Sequence, residues 1–143
     1  SEAESATAWS NAETLPSSAS KYITSSVMTD LRGYEVSNYF KGNADYAAIN
    51  TASNYPTALQ GCSGWYLPSA GEWLNFWNNL GGKNKINLLL RQAGANELTG
   101  ARYWTASLRG LTEPYAMIEN NGSLSPIAQP LRSKNAVRAS IIF

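Results

Sequence analysis

Ten carboxylates, eleven Lys and Arg side chains, one cysteine and no histidine are the groups from which this 143-residue chain would have to build a reactive centre. Without His, the commonest general base near neutral pH, the commonest metal ligand and every Ser-His or Cys-His nucleophile pairing are missing. Cys62 alone can form neither an internal disulfide nor a thiolate metal cluster, so it reads as a small, half-buried residue ahead of an apolar segment. Paired carboxylates could still do acid–base work. Asp30, Glu35, Asp45, Glu72, Glu97, Glu113 and Glu119 are scattered, however, with no spacing that sets two of them against one substrate. The chain is therefore expected to be no enzyme and to use no cofactor and no metal.

Recognition is the chemistry that remains. Aromatic side chains can stack on the C–H faces of sugar rings, and the chain carries five Trp and eight Tyr. Trp65, Trp73, Trp77 and Trp104 lie in segments with a packing role and are assigned to the core, which leaves Trp9, Tyr115 and Tyr66 as free rings. The stretch 108–134, between two strand signals, mixes Arg109, Glu113, Tyr115, Asn120, Asn121, Arg132 and Lys134. It is a candidate ligand-binding set, and equally readable as ordinary solvated loop. Arg138 is read as structural. A net charge of +1 with no run of basic residues gives no footprint for nucleic acid. No apolar run is long enough to insert in a membrane, and Ser1 to Trp9 lacks the layout of a signal peptide.

The elements that must hold these residues begin after a Ser/Ala/Glu-rich stretch, 1–20, read as a leader or linker docked by Trp9, with a single domain over 21–143. Tyr22–Val27 reads as a short strand, and Met28–Asn38 as a turn or bulge at Gly33. Asn43 is placed to cap a helix over 44–54, with Ala48, Ile49, Ala52 and Tyr55 inward and Pro56 as its stop. Ser69-x-x-Glu72 has the capping-box pattern, with Pro68 and Trp73 at the staple positions. The helix behind it would bury Trp73, Phe76, Trp77 and Leu80 and end at Gly81-Gly82. A shorter helix is expected over 85–93, with Ile86, Leu89, Leu90 and Ala93 inward. From Tyr103 the period falls to two: strands over 103–107 and 114–119, a hairpin at Asn121-Gly122, a return over 123–127 confined by Pro126 and Pro130 to an edge, and a terminal strand over 135–143. Asn121-Gly122-Ser123 also matches an N-glycosylation acceptor, but the turn explains the same residues. Helices followed by strands give an α+β class.

Gly64-Trp65-Tyr66-Leu67-Pro68-Ser69 with Glu72-Trp73, then Tyr103-Trp104-Thr105-Ala106-Ser107, then Asn135-Ala136-Val137-Arg138-Ala139 form an ordered set that resembles the bacterial surface domains of the Lcl C-terminal type and the Fibrobacter major-paralogue domain. These belong to the wider C-type-lectin-like group, and the resemblance spans about residues 38–143. It implies an α+β, C-type-lectin-like fold in which two to three helices pack on a twisted antiparallel sheet. The residues depart from two occupations of that group. Calcium-dependent lectins use Glu-Pro-Asn or Gln-Pro-Asp loops and a Trp-Asn-Asp strand; here Glu113-Pro114-Tyr115 and Gln129-Pro130-Leu131 lack the third oxygen donor, and Trp77-Asn78-Asn79 falls in a helix. Formylglycine-generating enzymes share a run much like Trp65 to Trp73 but need a cysteine pair. What the resemblance leaves is a calcium-independent, extracellular or cell-surface recognition domain for a glycan or protein. Two further occupations fit: a structural cap or tip module of a surface filament or lipoprotein, and a variable ligand-display protein of a diversity-generating retroelement.

Overall fold

A computed structural model describes residues 6–55 and 64–141; Cys62 and the last two positions of the terminal strand lie outside them. Strands β1 (Ala6–Ala8), β2 (Trp65–Tyr66), β3 (Arg102–Leu108), β4 (Pro114–Asn120), β5 (Ser123–Ala128), β6 (Lys134–Ala136) and β7 (Ser140–Ile141) combine with helices α1 (Gly33–Phe40), α2 (Ala47–Ser53), α3 (Ala70–Leu80) and α4 (Lys83–Gln92). The class is α+β. Five strands form one sheet in the order β1-β6-β3-β4-β5, while β2 and β7 pair separately. The large sheet is mixed, because β3 and β6 run parallel at Tyr103 and Ala136. That corrects the antiparallel expectation.

The central position of β3 explains its composition. Every residue from Tyr103 to Leu108 is buried. Trp104, Ala106 and Leu108 face one core with Val36 and Phe40 of α1 and Ala48, Ile49 and Ala52 of α2. Tyr103 faces the other, with Trp73, Leu74 and Trp77 of α3 and Ile86 of α4. A strand covered on both faces loses the alternation of a half-buried one and reads as a continuous apolar run. Its buried Thr and Ser hydroxyls are satisfied: Thr105 Oγ1 donates to Tyr115 O at 2.7 Å and Ser107 Oγ to Asp30 Oδ2 at 2.7 Å.

Within the stretch read as a leader or linker, residues 6–20 pack into this core. β1 pairs with β6, and Trp9, Leu15 and Ala19 are buried. The indole N–H of Trp9 donates to Thr105 O at 2.8 Å, and that of Trp104 donates back to Thr7 O at 2.7 Å. The expected strand over 22–27 is replaced by 3-10 turns at Ser17–Tyr22 and Val27–Thr29. β6 reaches β3 only at Tyr103, and the segment meets β3 at its other end without extending into a strand. Only Ile23 bridges to the free end at Leu108. Gly33 opens α1 instead of forming a bulge.

α2 begins three residues later than expected. Asn43 spends its side chain on Asp45 N at 3.0 Å in an Asx turn, which leaves Tyr46 as the N-cap. α3 has its capping box and ends at Gly81 in the left-handed conformation. Its aromatic face is narrower than expected: Trp73 and Trp77 are buried, but Phe76 is exposed, as is Leu89 on α4. At the β4–β5 hairpin Asn121 (φ 51°) and Gly122 (φ 85°) make the two-residue turn. β5, with Pro126, is an edge strand.

Candidate functional site

Two carboxylates that could have done acid–base work are used as clasps. Asp30 accepts from Arg32 Nε at 3.0 Å and from Ser107 Oγ, while its carbonyl accepts from Gly71 N at 3.0 Å and Ser69 Oγ at 2.5 Å. Glu72 Oε1 accepts from Gly33 N at 3.0 Å and Ser69 N at 3.2 Å, and Oε2 accepts from the Tyr66 hydroxyl. Together they tie α1, β2, α3 and β3 at one point. The approach is close enough that a Cβ on Gly33 would sit 2.5 Å from Glu72 Oε1 and 2.7 Å from Leu67 O, which is why glycine stands there. Tyr66, buried rather than free, has its hydroxyl pKa pushed up to about 12, first by burial and then by its hydrogen bond to Glu72.

A raised tyrosine pKa favours the neutral folded form. The unfolded chain ionises near its ordinary value of 10.0 while the folded chain holds its proton. The contribution is thus fully present below pH 10 and is lost as pH rises through the folded value. Urea midpoints should fall more steeply between about pH 10 and pH 12 in the parent than in Tyr66→Phe; equal slopes would show that another group controls alkaline unfolding.

The sequence-derived binding set is divided by the sheet. Arg109 and Glu113 lie in the β3–β4 loop, where Arg109 N and Gly110 N both donate to Glu113 O. Arg132 lies in the β5–β6 loop, and a shallow depression of about 360 Å³ joins Glu113 and Arg132 with Glu13, Thr112, Pro130 and Leu131. Arg132 is itself employed, donating from Nε to Asn11 O at 3.1 Å. Tyr115 is half-buried in β4, and Lys134 is exposed in β6 opposite Ala8. Asn120 and Asn121 sit at the hairpin tip, roughly 17 Å along β4 from Tyr115 at ~3.4 Å per residue. Trp77 Nε1 holds that tip through Gly122 O at 3.2 Å. The set therefore does not form one surface.

The larger concavity lies elsewhere. A groove of about 550 Å³ is lined by Thr51, Ala52 and Tyr55 at the end of α2, Trp65 of β2, Leu90 of α4, the 94–96 segment and Val137 to Ala139. Leu90, Arg138 and Ala139 continue it into a cavity of about 260 Å³ walled by Trp73 and Phe76. Arg138 Nη2 donates to Asn96 O at 2.7 Å. Trp65 is only half-buried, not a core ring, and its centroid lies 4.6 Å from that of Tyr55, which is exposed rather than inward. Sequence reasoning missed this site, because the motif around Trp65 and the helical stripe ending at Tyr55 each had a packing explanation. A Tyr and a Trp ten positions apart in the sequence were the available signal.

Among the described residues no group of three or more His, Cys, Asp or Glu side chains is placed to hold a metal ion, and no helix is long and apolar enough to cross a membrane. No family model matches the chain, and no curated protein matches it. Among solved structures it is similar to a fimbrial protein from Bacteroides ovatus ATCC 8483, with a TM-score of 0.61 and 20% identity. The match covers 80% of this chain and 25% of that one, so the chain spans about a quarter of its structural neighbour. At that identity the likeness is one of fold.

Proposed function

We propose that this chain is a non-catalytic module of a bacterial surface filament, a cap or tip element with a C-type-lectin-like arrangement of helices on a sheet. The observation that carries the reading is the fold likeness to one quarter of a fimbrial protein. Two features support it. The candidate loop residues are split between opposite ends of β4, which suits a body that contacts neighbouring chain better than a single receptor surface. The inward-facing carboxylates are engaged in clasping elements together. A recognition role through Glu113 and Arg132 remains the second reading, favoured by the depression they share.

The test is location. Epitope-tagged and expressed within its parent chain, the module should be found by immunogold electron microscopy on extracellular filaments. Label confined to the cell body while filaments are present would reject the reading.

A further inference from the structure

The groove beside Tyr55 and Trp65 has no part in that reading. We propose that it is a saccharide site, taking a neutral pyranose unit against the Tyr55–Trp65 ring pair. The two rings meet at 59° with centroids 4.6 Å apart, so they form an apolar corner instead of a flat stack. Tyr55 keeps 48% of its surface in solvent. A pyranose offers a C–H face to such rings and hydroxyls around its rim, and the rim needs polar partners spaced around the platform.

The groove has them. Thr51, Asn96 and Arg138, which already donates from Nη2 to Asn96 O, line the same groove as the rings, together with apolar Ala52, Leu90, Val137 and Ala139. Its volume of about 550 Å³ lies within the ~300–1,000 Å³ usual for small-molecule sites. The adjoining cavity beyond Arg138, bounded by Phe76 and Trp73, gives room for a second unit. The carboxylate nearest this path, Glu72, is occupied by Gly33, Ser69 and Tyr66, so the site offers no acidic cluster for a bridging cation. Sugar binding here should not require calcium. A proline-rich peptide can also dock on an aromatic-lined groove, but the polar side chains spaced around this one suit a hydroxyl rim.

Saturation-transfer NMR on the whole chain, with methyl pyranosides of glucose, galactose, mannose and N-acetylglucosamine, tests the proposal alongside a glycan array run in EDTA. Expected is transfer concentrated on the ring C–H protons of one face of at least one pyranoside, undiminished by EDTA. Tyr55→Ala and Trp65→Ala should each weaken it about tenfold or more, the loss of one ring contact, while Trp65→Phe keeps most of it. Should Trp65→Ala lower the melting temperature, Tyr55→Ala, at an exposed position, carries the result. No signal from any pyranoside or array glycan overturns the proposal, as does a signal that survives both substitutions. Cross-linking from position 55 to another protein chain, without sugar binding, marks a subunit contact and overturns it too. Filament incorporation of Tyr55→Ala should be normal, so the sugar site and the filament reading fail separately.

Discussion

Trp9→Ala should lower unfolding stability by about 3–5 kcal/mol, measured by urea denaturation, the cost typical of removing a large buried aromatic side chain. Trp9 is fully buried, packs edge-on against Phe40 at 5.2 Å and Tyr46 at 6.2 Å, and bonds to the backbone of the central strand at Thr105 O. The substitution opens a cavity and leaves a buried carbonyl without its donor, two costs that add. It also loosens the strand before it, whose Thr7 carbonyl is the partner of Trp104. A loosely tied leader would give a change near zero, so the measurement discriminates sharply between the two pictures of residues 6–22.

Glu72→Ala should cost about 3 kcal/mol or more, because hydrogen bonds to a charged group are worth ~1.5–3 kcal/mol and removal strands several donors at once. Gly33 N, Ser69 N and the Tyr66 hydroxyl all lose their acceptor, and Ser69 is fully buried. Glu72→Gln keeps one acceptor oxygen and should lose roughly half as much. Thermal and urea unfolding of the pair check this. A loss below about 1 kcal/mol for the Ala variant would mean that Ser69 alone caps α3, the ordinary value of a helix cap.

The two variants probe features that were unequally legible from sequence. The capping box, the Gly81 stop, the Asn121-Gly122 hairpin and the edge position of β5 are local: each depends on a few adjacent residues and a backbone preference, and each is found in the structure. What was not legible depended on partners far along the chain. Tyr22–Val27 has strand composition but makes a single bridge, Ile23 to Leu108, and Gly33 in the first turn of α1 meets Glu72 from thirty-nine positions away. The Ser/Ala-rich start looks like a linker until β6 is placed beside it. The candidate site followed the same rule. Arg109, Glu113, Tyr115, Asn120, Asn121, Arg132 and Lys134 are near in sequence, yet the sheet carries them to different ends. Tyr55, Trp65 and Arg138 are remote in sequence and meet across one groove.

The pairing of β1 with β6 also orders events in time. β1 finds its neighbour only after the chain through Lys134–Ala136 has been made, and that neighbour lies between it and β3. Until then Trp9 and the Trp104 indole lack each other's carbonyl anchors. Closure of the sheet is thus a late, long-loop step, slow by the rule that distant contacts delay folding. Until β6 is in place this edge of the sheet stays open, and it closes only when Ala136 is available to pair with Ala6.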